Sequence, residues 1–273
     1  MKRILITGKH GYIGTAIAAH LGQYSEQYAA ERISVRDFTP EAFDFHGVDA
    51  IVHTAAFVHQ RETAETQPLF DTVNRDLTVA LAGKAKRDGV KHFLFFSTMS
   101  VYGMDVGTIT KDVVPVPKTQ YGRSKYAAER RIAPLSDAAF TVTILRPPLV
   151  IGPGAKGNPT RLERLAKRLP FCPDFENRRS MVSIETLCGA VKALLDAPRA
   201  GVFFPQEPEP VATCDLIECA MREQGRTPKR SKLLNPAIRV LRACTRVGKK
   251  AFGDLVYEDL YALPLPDGEE GSE

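Results

Sequence analysis

The 273-residue chain has no tryptophan, and its five cysteines (Cys172, Cys188, Cys214, Cys219 and Cys244) form no C-x-x-C pair and have no histidine at metal-ligand spacing. An odd, scattered set of thiols excludes a disulfide scaffold and a zinc module, and it suits a reducing cytoplasm. Also missing is any run of about eighteen apolar residues, the length a membrane-spanning helix needs. The basic start Met1-Lys2-Arg3 leads into only a few apolar residues before Thr7-Gly8, too short a core for a secretory signal. No internal repeat or low-complexity block interrupts the body of the sequence.

What is present is ordinary for a globular protein, with 44% hydrophobic and 25% charged residues. The net charge of +5 is unevenly spread. Asp267, Glu269, Glu270 and Glu273 crowd the last seven residues, and setting those four acids aside leaves the body at +9. Such an excess fits nucleic acid, a membrane surface or a small polyanion such as a nucleotide.

Short β-rich runs alternate with helical patterns in the first half. The runs Arg3 to Ile6, Arg32 to Val35, Ala50 to His53, His92 to Ser97 and Thr141 to Leu145 read as strands, several of them apolar without alternation, as in parallel strands buried on both faces. Helical periodicity covers Ile13 to Leu21, Phe70 to Asp88 and Tyr121 to Ala133. This order predicts an α/β fold with a Rossmann-type doubly wound parallel sheet over residues 1–150. Beyond Arg146-Pro147-Pro148 the chain becomes rich in proline and glycine, which predicts a small C-terminal substrate-binding lobe over 151–265. Part of that later chain, around Val202-Phe203-Phe204, is expected to return to the sheet. Residues 266–273 read as a frayed acidic tail.

The segment from Ile4 to Gly14, ILITGKHGYIG, is a strand, a glycine-rich turn and a helix start in the order a dinucleotide site needs. Gly8, Gly11 and Gly14 permit the tight turn, the approach of backbone to a pyrophosphate and the packing of helix on strand. Free N–H groups and the helix dipole favour the anion, and Lys9, His10, Tyr12 and Ile13 lie in the same turn. Tyr121 and Lys125 are four apart, so on a helix they share a face. An ammonium beside a phenol is expected to lower its pKa from about 10 and suit it to exchanging a proton with a hydroxyl or carbonyl.

Together these motifs resemble the extended branch of the short-chain dehydrogenase/reductase superfamily, the NAD(P)-dependent nucleotide-sugar epimerases, dehydratases and reductases. The matches run in order: T-G-x-x-G-x-x-G at Thr7 to Gly14, His53-Thr54-Ala55-Ala56, Val73-Asn74, Ser97-Thr98-Met99-Ser100-Val101-Tyr102-Gly103, and Tyr121-Gly122-Arg123-Ser124-Lys125. Leu145-Arg146-Pro147 to Gly154 and Arg179 to Glu185 continue the likeness to about residue 195. The resemblance implies Thr98, Tyr121 and Lys125 as the catalytic set, with Ser100 as the neighbouring hydroxyl. It implies cofactor contacts from the glycine turn, Thr54, Ala55, Ala56, Asn74, Ser97, Tyr121, Lys125 and Pro148, and substrate contacts from Thr98, Ser100 and Arg179, with Asn158 and Arg161 in the preceding segment as chemically apt additions. A homodimer is likewise implied.

Two departures refine this. Where the family's dehydratases carry an Asp-Glu pair after the threonine, Met99 and Ser100 stand here, so dehydration by that pair is not expected. Where an acid commonly closes the second strand to hold a ribose diol, Ser34-Val35-Arg36-Asp37 offers a guanidinium first, which suits a 2′-phosphate. The sequence therefore leans to NADP(H) over NAD(H), with Asp37 as the ribose contact in the alternative. The expected activity is a 4-ketoreductase acting on a UDP- or dTDP-linked sugar in polysaccharide or deoxysugar precursor synthesis. A 4-epimerase and a non-catalytic dinucleotide-binding regulator stand as alternatives. No metal and no nucleic-acid partner are expected. The basic run from Lys229 to Lys250 reads as a helix docked on the body, with peripheral membrane contact as its other reading.

Overall fold

A computed structural model describes residues 1–39, 42–58, 60–155 and 164–258. In chain order the elements are β1 (Lys2–Thr7), α1 (Tyr12–Gly22), β2 (Tyr28–Ile33), β3 (Ala50–His53), α2 (Gln67–Leu69), a π-helical stretch (Phe70–Asp76), α3 (Leu77–Arg87), β4 (His92–Phe96), β5 (Gly107–Ile109), α4 (Gln120–Ile132), β6 (Thr141–Leu145) and β7 (Leu149–Ile151). The later half supplies β8 (Cys172–Pro173), β9 (Met181–Ser183), α5 (Ile184–Asp196), β10 (Gly201–Phe203), α6 (Thr213–Glu223), β11 (Arg230–Ser231), α7 (Asn235–Cys244), α8 (Arg246–Phe252) and β12 (Leu255–Tyr257).

Six parallel strands form one sheet in the spatial order β10-β6-β4-β3-β1-β2. The order reverses between β1 and β3, which is the switch point where open α/β sheets bind ligands at their carboxyl edge. Successive residues in each strand face opposite sides. Ile4, Ile6, Val52, Leu94 and Phe96 join Ile17 and Leu21 of α1 and Leu187, Val191 and Leu194 of α5 on one face. Leu5, Ile51, Phe93 and Phe95 join Leu81 and Ala85 of α3 and Ala128 and Ile132 of α4 on the other. Burial on both faces is why these strands read as unbroken apolar runs.

The chain after residue 150 is interleaved with the sheet, since β10 pairs with β6 and α5 packs over β1 and α1. A separate cluster around Cys172, Cys214, Ile217, Met221, Ile238 and Phe252 builds the lobe. Val101, Tyr102, Ile109, Phe204, Leu255 and Tyr257 join the two, with β12 pairing β5.

The second strand differs from its expected span, since it runs Tyr28–Ile33 in register with Lys2 to Thr7 rather than Arg32 to Val35. As an edge strand it tolerates the polar Glu31 and Arg32, which hid it from an apolar pattern. The long helix expected from Phe70 is broken by a π turn. Asn74 therefore lies inside a helical run rather than at its start. The acidic residues 266–273 lie outside the described residues. No helix among the described residues is long and apolar enough to cross a membrane.

Candidate active site

Along the carboxyl edge of the sheet runs a cleft of about 970 Å³. Its floor at one end is the glycine turn. Gly8 adopts φ +92°, a backbone conformation that L side chains rarely take. Helix α1 starts at Gly11 without a side-chain cap, which leaves first-turn N–H groups for a ligand. Lys9, His10, Tyr12, Ile13 and Gly14 line this end together with Ser34, Val35 and Arg36 beyond β2. Asp37 does not line it. Lys9, His10 and Arg36 are exposed, and no ion pair engages them among the described residues.

A buried hydrogen-bond chain holds the turn against β3. The Ala55 N–H donates to Thr7 Oγ1 at 3.1 Å, and Thr7 Oγ1 lies 2.7 Å from His53 Nδ1. On the other side His53 Nε2 lies 2.9 Å from Thr78 Oγ1, which donates to the Asn74 carbonyl at 2.9 Å. That direction makes Nε2 the protonated nitrogen and Nδ1 the acceptor. Burial, with Lys125 nearby, holds His53 at a pKa of about 3, so it stays neutral. Thr54 bonds back to the Thr7 carbonyl at 2.6 Å, leaving Ala55 and Ala56 as small residues lining the cleft.

Asn74 does not reach the cleft. Its Oδ1 accepts from Phe57 N–H at 2.7 Å, and its Nδ2 donates to the Phe57 carbonyl and to Ser124 Oγ. Ser124 Oγ in turn donates to the Tyr121 carbonyl at 3.0 Å. The π turn thus aims Asn74 at Phe57 and Ser124, in segments that flank the cleft.

Thr98 follows β4 and caps a tight turn by accepting from Ser100 N–H at 3.1 Å. Helix α4 comes close to that turn because residue 122 is glycine, where a Cβ would stand 2.7 Å from the Ser100 carbonyl. This approach brings Tyr121 and Thr98 together on the wall of the cleft. Burial pushes the Tyr121 pKa up to about 12, and the nearby Thr98 hydroxyl opposes that rise. Lys125 lies one turn on, 1% exposed, donating to the Phe96 carbonyl at 2.8 Å and standing 4.5 Å over the Phe95 ring. Burial pulls its pKa down to about 7, with Glu129 pulling the other way. The expected lowering of Tyr121 by Lys125 is not seen, because the ammonium is turned to a backbone carbonyl.

Below these groups Glu129 forms a buried ion pair with Arg146, with Nη2 to Oε2 at 2.5 Å. Ser97 donates to Glu129, so its hydroxyl is used in support even though the residue lines the cleft, as Pro148 does. Tyr102 Oη accepts from Arg146 at 2.8 Å, and Tyr257 of β12 donates to the Arg146 carbonyl at 2.9 Å.

The far end of the cleft is assembled from distant segments. Arg179 is half-buried, its backbone paired with Val211 and its guanidinium donating to the Gly253 carbonyl at 2.8 Å. Burial pulls its pKa below the usual arginine value. Arg246 and Lys250, one turn apart on α8, face the same space and share Asp105 at 2.9 and 3.7 Å. Lys118 and Ser100 also line it. Sequence reasoning missed Asp105, Lys118, Arg246 and Lys250; the i, i+4 pair inside the basic run was the signal for the last two. Asn158 and Arg161 lie outside the described residues.

Seven Lys and Arg side chains line the cleft against one carboxylate, Asp105, among the described residues. A positive-φ glycine turn, an uncapped helix start and a cationic wall fit a dinucleotide with its phosphates. Residues 4–203 match the model of the NAD dependent epimerase/dehydratase family. The chain is 33% identical over 245 residues to a UDP-glucose 4-epimerase of Vibrio cholerae, covering 79% of this chain and 74% of that protein. Its fold is similar to that of a UDP-glucuronic acid 4-epimerase from Bacillus cereus in complex with NAD, at TM-score 0.72 and 18% identity over 97% of this chain and 91% of that one. A dTDP-4-dehydrorhamnose reductase from Bacillus anthracis in complex with NADP gives TM-score 0.69 at 18% identity, over 84% and 83%. The chain therefore belongs to the NAD dependent epimerase/dehydratase family, within the extended short-chain dehydrogenase/reductase enzymes.

Proposed function

We propose that the protein reduces the 4-keto group of a nucleoside-diphosphate sugar with NADPH. The observation that carries this reading is the character of the adenosine end. Ser34, Val35 and Arg36 line it after β2, Asp37 does not, and Lys9 adds positive charge. A wall with cations and no carboxylate at that end favours a 2′-phosphate over a ribose diol. NADP(H) in turn suits a reductant taken up and released at each turnover. A bound nicotinamide would supply the hydride. Tyr121 holds the proton for the sugar oxygen, Thr98 lines the cleft beside that phenol, and Lys125 places a titratable ammonium one turn below. Arg179, Arg246 and Lys250 offer paired donors for the diphosphate. Met99 and Ser100, which line the cleft after Thr98, supply no acid or base for removing water.

A 4-epimerase is the second reading, and the likeness to the Vibrio cholerae enzyme favours it. The two differ in redox balance. Incubation with NADPH and a UDP- or dTDP-4-ketosugar should consume NADPH in step with ketosugar, followed by ultraviolet absorbance. Absence of NADPH loss on these substrates, with NAD copurifying tightly, overturns the reductase reading.

A further inference from the structure

The run from Lys229 to Lys250 contains eight Lys and Arg residues and no Asp or Glu. Helix α7 within it is turned the wrong way for an ordinary surface helix. Ile238 is its buried residue, while Ala237, Val240, Leu241 and Cys244 are exposed. At about 100° per residue, Val240 and the exposed Ala243 lie opposite Ile238 and Ala237 and Cys244 lie on the flank beside Val240, so the outward face is apolar. Val240 is 63% and Leu241 40% exposed, and Leu233 before the helix and Val247 after it are 76% and 70% exposed. These are four of the nine large hydrophobic residues exposed among the described residues.

Cations flank this face. Arg230 pairs with Asp215 and Glu218, Arg242 with Asp254, and Arg246 and Lys250 with Asp105. Lys229, Lys232, Arg239 and Lys249 form no ion pair among the described residues. An outward apolar strip bordered by free cations matches a surface that is apolar beneath and anionic on top, which is the headgroup boundary of a bilayer. Leu and Val side chains can enter the acyl boundary while Lys and Arg stems reach back to lipid phosphates.

We propose that the Lys229 to Lys250 segment docks the protein on an anionic membrane surface through α7. The inference goes beyond the reaction proposed above and does not depend on it. Docking in this way brings the substrate end of the cleft toward the lipid headgroups, since Val247 shares a turn with Arg246, which lines that end.

The test is co-sedimentation of the full chain with vesicles of phosphatidylcholine, with and without phosphatidylglycerol. Binding is expected to the anionic vesicles, weakening with salt. Val240→Glu with Leu241→Glu should lower the partition coefficient at least about tenfold, as should Lys232→Gln with Arg239→Gln. Neither pair lines the cleft, so thermal stability and turnover of a soluble nucleotide sugar should stay unchanged and show the variants to be folded. Full chain left in the supernatant with anionic vesicles overturns the proposal, as do variants that bind as well as the parent. A dimer that Val240→Glu dissociates, without vesicle binding, overturns it in favour of a second copy covering the face.

Discussion

The two ends of the cleft are both basic, but they are built differently. At the adenosine end Lys9, His10 and Arg36 are exposed and come from one βαβ unit. At the substrate end Arg179, Arg246 and Lys250 are held by the Gly253 carbonyl and by Asp105, and they come from segments dozens of residues apart in sequence. The first end is a set of loose charges around a backbone cradle. In the second, Arg179 is pre-oriented, and a donor already fixed would lose less freedom on binding a diphosphate, while Arg246 and Lys250 are exposed but paired with Asp105. Thr98, Tyr121 and Lys125, the proposed reacting groups, lie between them.

The largest change should come from breaking the middle. Tyr121→Phe should lower turnover by about a hundredfold or more, with cofactor affinity at either end little changed, as expected for loss of a positioned acid. Unchanged turnover would show that another group carries the proton. Arg179→Ala attacks the pre-oriented end. It should raise KM for the nucleotide sugar by about ten- to a hundredfold and leave NADPH binding intact, because a half-buried charged hydrogen-bonding group is lost. Equal losses for both ligands would mean that the ends are not independent.

At the loose end the effects are smaller. Arg36→Ala should weaken NADPH by about tenfold while changing NADH little, and Asp37→Ala should leave both within about twofold, measured by titration. A strong loss of NADH on removing Asp37 would assign it the ribose and reverse the cofactor preference.

The buried polar groups predict a further dependence on pH. His53 and His92 have pKa values pulled down to about 3 and about 4 by burial. Below about 6.5 the unfolded chain binds protons that these folded histidines refuse. Their contribution to stability is therefore present above about pH 6.5 and lost as pH falls toward 3 to 4. Melting temperatures should fall across that window, and NMR titration should find both rings neutral at pH 5. Rings charged at that pH would contradict the burial account.

Much of the sheet could be read before the fold was seen, and for a physical reason. Strands β3 and β6 are buried on both faces, so their apolar runs match their observed spans, whereas the edge strand β2 was misplaced because half of it faces water. The glycine turn and the Tyr121–Lys125 pair are local patterns fixed by turn and helix geometry. Asn74 was placed at a helix start because a π turn cannot be told from an α-helix by periodicity. Asp105 and Arg246 were missed because only tertiary packing joins β5, α8 and β12. The outward apolar face of α7 was also hidden: a helical moment tells that a helix has two faces and leaves open which one meets the body.

The most direct test follows the hydride itself. NADPH carrying deuterium at the transferred position is incubated with the 4-ketosugar, and the product sugar is analysed by mass spectrometry and NMR. One deuterium at C4 of the product, with an equal amount of NADP⁺ formed, is the predicted result. An unlabelled sugar, interconverted at C4 without any NADPH oxidised, would contradict it.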